Sequence, residues 1–301
     1  MPVNNPVLIT GVTGFIGGSL ARRFIQHGIL VTGLVRREVN GLPFPVRITG
    51  YAVEELANII SDLKPSTIIH AAGSASVGLS LSQPSHDFND SVALFQRLME
   101  ATRISGERPR VVFLSSAAVY GNPANLPVSE SEPLSPISPY GYHKVMGETI
   151  AREYSACFGI QTLIVRIFSL FGPAQRRLLI WEIYEQFRYK EEVYLQGTGG
   201  ETRDYIHIND LADALIDLLP HIGKDQLTVN IASGKAITIK EVAETIGMIL
   251  ASKKPVSFRG THRRGDPNFW QADVSLLEQL VGRKHKAFHD RLSCTIQQWL
   301  E

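Results

Sequence analysis

Short apolar runs alternate along the first half of the chain with stretches in which apolar positions recur every three or four residues. Val7 to Thr10 is such a run, and Ile16, Leu20 and Phe24 follow at helical spacing. Leu30 to Val35 predicts a second strand, closed by Arg36 and Arg37. Glu54 to Leu63 predicts a helix that stops before Pro65. Thr67 to Ala71 predicts a buried strand, and Val92, Phe95, Leu98 and Met99 mark the apolar face of a helix. Arg110 to Ser115 predicts a further strand, rich in β-branched and aromatic residues. A Pro/Ser-rich loop over 121–139 leads into a long helix with Met146, Ile150, Tyr154 and Cys157 on one face. Thr162 to Phe168 then predicts a strand closed by Gly172-Pro173. Strands alternating with helices imply parallel pairing through right-handed crossovers.

Past residue 170 this rhythm loosens. Leu179, Ile183 and Phe187 suggest a helix. Thr238 to Glu241 fits a capping box before Val242, Ile246 and Ile249. Leu292, Ile296 and Trp299 mark a final helix. The expected fold class is α/β: a doubly wound parallel sheet over 1–170 that holds a nucleotide, then a smaller α/β domain mainly over 171–301.

Composition narrows the classes. The 301 residues are 44% hydrophobic and 20% charged, enough apolar material for a full core, which excludes global disorder. Thirty basic against 29 acidic residues argue against a dedicated nucleic-acid binder. Cys157 and Cys294 cannot build a disulfide framework or a cysteine zinc site. The nine histidines show no H-E-x-x-H spacing, so no metal is expected. No apolar run reaches the length of a membrane-spanning helix, and no secretory signal is visible at the start, so the expected location is the cytoplasm.

Thr10-Gly11-Val12-Thr13-Gly14-Phe15-Ile16-Gly17 joins the first strand to the first helix. Glycines at this G-x-x-G-x-x-G spacing permit a tight turn and a close backbone approach, and the helix N-terminus then faces a pyrophosphate. The turn is therefore read as a dinucleotide site. An acidic residue at the end of the second strand would favour a free ribose 2′-hydroxyl, but Arg36 and Arg37 stand there. Two arginines suit a 2′-phosphate, so NADP(H) is favoured over NAD(H); a solvated surface charge pair is the competing reading.

Ser115-Ser116 ends the fifth strand, at the edge where ligands sit in open α/β sheets. Tyr140 and Lys144 lie four apart at the start of the long helix, hence on one face. A phenol of pKa about 10 becomes a usable base when a nearby ammonium favours phenolate. Ser116 can hydrogen-bond the same substrate oxygen. Together the three form a proton-transfer unit beside a hydride carrier.

With these motifs the chain resembles the extended short-chain dehydrogenase/reductase family, which includes nucleotide-sugar epimerases, dehydratases and reductases. The resemblance rests on the glycine turn, His70-Ala71-Ala72-Gly73, Ser115-Ser116-Ala117-Ala118-Val119-Tyr120-Gly121 and Tyr140-x-x-x-Lys144. It continues in Arg203-Asp204-Tyr205-Ile206-His207-Ile208-Asn209-Asp210 and Arg263-Arg264-Gly265-Asp266. It implies a Rossmann fold with a C-terminal substrate-binding domain, some of whose segments return to the first. It implies catalysis by Ser116 and Tyr140, with Lys144 binding ribose and tuning the tyrosine. Cofactor contacts would come from Gly11, Thr13, Gly14, Phe15, Ile16, Gly17, Arg36, Arg37, Ala71, Ala72, Gly73 and Ser115, together with Tyr140 and Lys144. Arg203, Arg263 and Asp266 are similar to nucleotide-diphosphate and ribose contacts of this family, although Arg203 could instead hold a surface carboxylate. Ser169 stands where many sugar epimerases carry asparagine, and Ala117-Ala118 where 4,6-dehydratases carry an acidic pair. Tyr51 lies near where many relatives place an adenine-contacting aspartate.

The expected function is thus an NAD(P)-dependent nucleotide-sugar epimerase. An NADPH-dependent 4-keto-sugar nucleotide reductase is the alternative, and a non-catalytic NADP sensor or scaffold the alternative of another class. A nucleotide-diphosphate sugar is the expected partner. A homodimer is expected through the helices bearing Val92, Phe95 and Met99 and Met146, Ile150 and Tyr154. His70 and Trp270 are read as structural, and His143 is assigned no chemistry.

Overall fold

Runs of residues that are apolar on both faces belong in the middle of a parallel sheet covered by helices on each side. In the computed structural model, which describes residues 6–223, 226–261, 265, 267–282 and 286–301, the first half obeys this rule. Its elements are β1 (Val7–Thr10), α1 (Phe15–Gln26), β2 (Val31–Val35), β3 (Val46–Ile48), α2 (Val53–Leu63), β4 (Thr67–His70), α3 (Val77–Ser82), α4 (Pro84–Phe88), α5 (Leu94–Ile104), β5 (Arg110–Ser116), α6 (Pro139–Phe158) and β6 (Thr162–Ile167). Then follow β7 (Ser169–Phe171), α7 (Leu178–Tyr189), β8 (Val193–Leu195), β9 (Thr202–His207), α8 (Ile208–Leu218), β10 (Leu227–Ile231), β11 (Ala236–Thr238), α9 (Ile239–Ile249), β12 (Val256–Phe258), α10 (Ser275–Val281) and α11 (Phe288–Leu300).

Seven strands form one parallel sheet in the order β10-β6-β5-β4-β1-β2-β3. The α/β doubly wound class is therefore as expected. One face packs on α1, α8 and α10 through Leu20, Phe24, Leu211, Leu215 and Leu277. The other packs on α2, α5 and α6 through Leu56, Ile60, Phe95, Met99 and Tyr154. A separate core gathers α7, α9 and α11 around Phe171, Ile183, Val242, Ile296 and Trp299. Two small sheets, β11-β9-β7 and β12-β8, accompany it.

Several elements differ from the sequence expectation. β3 is short and interrupted by Arg47, so its pattern carries no strand signal. β10, whose place no local pattern marked, comes from the second half of the chain and is a segment that returns to the main sheet, beside β6. The stretch before α5 winds as a π-helical turn over Asn89–Ala93. The two helices expected to pair in a dimer also serve this chain's own core. Val92, Phe95, Met99 and Tyr154 are buried in this chain's own core, because these helices spend their apolar faces on the sheet. Outward, α5 exposes Ile104 and α6 exposes Tyr142 and Met146.

α6 has local reasons to begin and end where it does. Ser138 caps it by accepting from the Gly141 amide at 3.2 Å, and Pro139 occupies the first turn. Gly159, at φ 68°, ends it in the left-handed conformation.

Candidate active site

The glycine turn is closed against a second loop. Gly11 has φ 69°, and a Cβ there would lie 2.7 Å from the Ala71 carbonyl oxygen and the Ala72 nitrogen. Thr10 Oγ1 accepts from the Ala71 and Ala72 amides at 3.1 and 2.9 Å, so the ends of β1 and β4 are tied together. A Cβ on Gly17 would meet the Gly11 carbonyl carbon at 2.7 Å, which keeps α1 close to the turn. The N-cap of α1 is Gly14, with no side-chain cap and no acidic residue in the first turn. That leaves backbone donors and a positive helix end facing an uncovered cradle, which fits a dinucleotide pyrophosphate. Thr13 is exposed in the turn, and Phe15 and Ile16 pack partly against the first core. Gly73 has φ 133°, with the Asp90 carbonyl oxygen beside it.

Tyr51 lies buried beneath this turn, itself at φ 63°, with its phenol hydrogen-bonded to the Gly11 backbone. Burial pushes that phenol up, and the nearby Arg36 charge and the bond to Gly11 oppose the shift. The Arg36 guanidinium stands 5.9 Å from the Tyr51 ring centre and donates to Asp90 Oδ1 at 3.1 Å. Arg37 is exposed.

The proton-transfer residues meet at the end of β5. Ser116 Oγ accepts from the Ala118 amide at 3.2 Å and shares a hydrogen bond with the Tyr140 phenol. The Tyr140 amide donates to Ser80 Oγ at 3.0 Å, which pins the first turn of α6 to α3. Lys144 Nζ donates to the Leu114 carbonyl at 2.9 Å and lies 5.6 Å from the Tyr140 ring centre. Burial drives the Lys144 ammonium down to about 8, opposed by Asp87 and Glu148. Burial likewise pushes the Tyr140 phenol up to about 12, with Ser116 pulling it back and Asp87 adding to the rise. A buried phenol this weak needs further positive charge to become a base, which an oxidised nicotinamide supplies when bound.

Other expected residues fall into place differently. Ser115 is buried, and its hydroxyl donates to Glu148 Oε1 at 2.7 Å. His70 contacts Thr10 Oγ1 through Nδ1 at 3.1 Å; burial and the Lys144 charge push it down to about 3. It is a neutral structural ring at the pH of the cell. Ser169 sits on β7, its backbone paired with Tyr205 on β9. The Arg203 guanidinium donates to the Thr202 carbonyl at 2.9 Å and lies 5.6 Å from the Trp270 ring centre. Trp270 is buried and donates from Nε1 to the Gly121 carbonyl at 3.0 Å, so it belongs to the seam between the two halves. Arg263 and Asp266 lie outside the described residues.

Sequence reasoning missed the buried polar network behind the site. Arg166 on β6 forks onto Glu148 on α6 at 2.9 and 2.8 Å and donates to the Tyr120 hydroxyl at 2.8 Å. Tyr120 donates to Asn230 Oδ1 at 2.7 Å, which links β5, β6, α6 and β10. An arginine inside the apolar run of β6 was its one available signal. Asp204 is also fully buried and accepts from Ser233 Oγ and from the Ser233, Gly234 and Ala272 amides at 2.7 to 3.1 Å. It braces β9, whereas its neighbour Arg203 is half-buried at the seam. The pair of Asp87 with His143, described below, was missed as well.

A glycine cradle at the end of β1, with a Ser-Tyr-Lys set at the end of β5, defines a dinucleotide-dependent enzyme with Rossmann-type architecture. A model of the NAD dependent epimerase/dehydratase family matches residues 7–232, and the chain belongs to that family. It is similar to a UDP-glucose 4-epimerase of Azospirillum brasilense, 29% identical over 311 residues, covering 95% of this chain and 88% of that one. Among solved structures it is similar to MoeE5 in complex with UDP-glucose and NAD, with TM-score 0.88 and 26% identity, covering 98% of this chain and 99% of that one. It is also similar to the UDP-N-acetylglucosamine 4-epimerase of Methanobrevibacter ruminantium M1 in complex with UDP-N-acetylmuramic acid, with TM-score 0.88, 26% identity and 99% of both chains covered.

Proposed function

We propose that this protein is a UDP-sugar 4-epimerase that works with a nicotinamide dinucleotide. The observation that carries the reading is the meeting of Tyr140, Ser116 and Lys144 at the end of β5, two strands across the parallel sheet from the glycine turn at the end of β1. When bound, the dinucleotide supplies the hydride acceptor and donor. Tyr140 takes the proton of the sugar hydroxyl and gives it back, so each cycle ends in the protonation state in which it began. Ser116 holds the same oxygen, and the Lys144 ammonium favours phenolate. Between the two transfers the keto sugar must turn within the pocket. Ala117 and Ala118, both buried and apolar, offer no acid or base for eliminating water, which favours epimerisation over dehydration.

The same reading gives residues 1–170 the dinucleotide and residues 171–301 most of the sugar nucleotide. It assigns Gly11, Thr13, Gly14, Phe15, Ile16, Gly17, Ala71, Ala72, Gly73 and Ser115 to the cofactor. It assigns Ser116, Ser169, Arg203, Arg263 and Asp266 to the substrate. NADP(H) is favoured because Arg36 and Arg37 stand at the end of β2, although similar structures solved with a dinucleotide contain NAD. The location is the cytoplasm, and the assembly a homodimer that pairs α5 and α6, the latter exposing Tyr142 and Met146. Those two arginines also favour a second reading, a reductase that spends NADPH on a 4-keto sugar. An epimerase recycles its dinucleotide and keeps it through purification, whereas a reductase must release it.

The test uses UDP-galactose with NAD⁺ or NADP⁺ and follows UDP-glucose formation. Tyr140→Phe deletes only the titrating hydroxyl, so it is expected to abolish turnover and leave dinucleotide affinity unchanged. Near-normal turnover by that variant overturns the reading.

A further inference from the structure

Asp87, the fourth residue of α4, is 2% exposed. Its Oδ2 is hydrogen-bonded to His143 Nδ1 on α6. Its Oδ1 is buried and finds no hydrogen-bond partner among the described residues. Leaving a buried carboxylate oxygen unsatisfied is costly, so its retention calls for a reason. His143 lies three residues after Tyr140 and directly before Lys144, so the pair abuts the helical turn that carries both catalytic side chains. The far side of the imidazole meets a surface hollow lined by Pro84, Ser85, Phe88 and Asn89, with the Phe88 ring edge-on at 5.5 Å.

Among the described residues, the charged and titratable groups that act on Lys144 besides Tyr140 are few. From its own helix comes Glu148, which is already matched: Arg166 holds it at 2.9 and 2.8 Å, Arg152 at 2.9 Å and Ser115 at 2.7 Å. From β4 comes His70, held neutral by burial. From α4 comes Asp87, which no guanidinium among the described residues matches.

We propose that Asp87 is a positioning residue of the acid–base machinery, an anion built in behind Tyr140 and Lys144 and held there by His143 as the counter-charge to the buried ammonium. This rests on Tyr140 and Lys144 being the catalytic pair. The Asp87 charge raises both groups: it opposes the effect of burial on Lys144 and adds to it on Tyr140. Activity needs Tyr140 able to lose its proton, which sets the acid limb, and Lys144 still charged, which sets the alkaline limb. Without the Asp87 charge both groups fall, and both limbs move to lower pH.

The experiment measures kcat for UDP-galactose from about pH 6 to about pH 10 in the cofactor-loaded enzyme and in Asp87→Asn. Both limbs are expected to shift toward acid by roughly half a unit or more. A folded variant that loses kcat with both limbs unmoved has lost only a structural tie, which overturns the proposal. Should Asp87→Asn fail to fold, His143→Gln serves instead, because its amide still donates to Asp87 and leaves the anion in place. Its limbs are expected to stay or to move toward alkali, and movement toward acid overturns the proposal. Tyr140→Phe is run alongside. Normal turnover there refutes the catalytic reading itself, whereas loss of turnover there with unmoved limbs in Asp87→Asn refutes this inference alone.

Discussion

Gly147 on α6 and Phe113 on β5 meet with no room for a side chain between them, since a Cβ on Gly147 would approach two Phe113 ring carbons at 2.9 Å. Phe113 cannot yield easily, because its ring packs on Phe95 at 4.4 Å and stacks on His70 at 6.3 Å. This close approach draws the first turns of α6 onto the end of β5, where Ser116 and Tyr140 meet. Gly147→Ala is therefore expected to cost about 1–3 kcal/mol of stability by overpacking. It is also expected to lower kcat, since small misplacements of catalytic groups are expensive. Denaturant unfolding and a turnover assay check both, and unchanged stability would mean that the helix can simply shift.

Lys144 holds a charge where the fold disfavours one. Burial moves its ammonium from 10.5 down to about 8, so between those values the unfolded chain binds the extra proton. Stability then rises with pH across that window. The contribution of the neutral amine is complete above 10.5 and is lost as pH falls through about 8. Lys144→Met is expected to be inactive yet to melt at a higher temperature than the native chain at neutral pH. The gap is expected to close as pH rises from about 8 toward 10.5. A gap that ignores pH would place the cost of Lys144 in packing and not in charge.

The residues that could be read directly are those whose backbone or spacing carries the chemistry. Gly11 and Gly17 announce a close approach because a Cβ would clash with backbone there, and Tyr140 with Lys144 announces one helical face. β1, β4, β5 and β6 were legible because both of their faces are buried and their central residues are mostly apolar, Arg166 of β6 being the exception. β10 was not, since its place beside β6 depends on a return across the whole sheet that no local pattern records. Asp87 and His143 are 56 positions apart, and neither carries a local sign of the other. The same holds for Arg166 and Glu148, whose burial becomes intelligible only once each is seen to neutralise the other.

Arg36 is shared between two roles. It donates to Asp90 across 3.1 Å, while Arg37 beside it is exposed. A 2′-phosphate at the end of β2 would compete with Asp90 for Arg36 and engage Arg37 as well. Changing both arginines to Ser is expected to weaken NADP(H) by roughly ten- to a hundredfold, the worth of a charged hydrogen bond or two, and to leave NAD(H) nearly unaffected. Fluorescence titration of each dinucleotide decides this. Equal weakening of the two would reduce the pair to general surface charge.

Arg203 decides whether substrate recognition lies in the second half of the chain. Its guanidinium is oriented by the Thr202 carbonyl at 2.9 Å and the Asn268 carbonyl at 3.4 Å and rests on the Trp270 ring. Those contacts hold the fork at the seam. A sugar nucleotide entering from the side opposite the glycine cradle brings a diphosphate that needs such a cation. Arg203→Ala is therefore expected to raise the KM for UDP-galactose by roughly ten- to a hundredfold, since one hydrogen bond to a charged group contributes about 1.5–3 kcal/mol. The dissociation constant of the dinucleotide is expected to stay unchanged, because the cradle at Gly11 lies on another element. Bracing alone predicts a different pattern: loss of the Thr202 and Asn268 contacts would lower the melting temperature and weaken both ligands together. Steady-state kinetics, dinucleotide titration and thermal unfolding on the same preparation separate the two. If dinucleotide binding alone suffers, the two-sided cleft is wrong and the diphosphate must be held elsewhere.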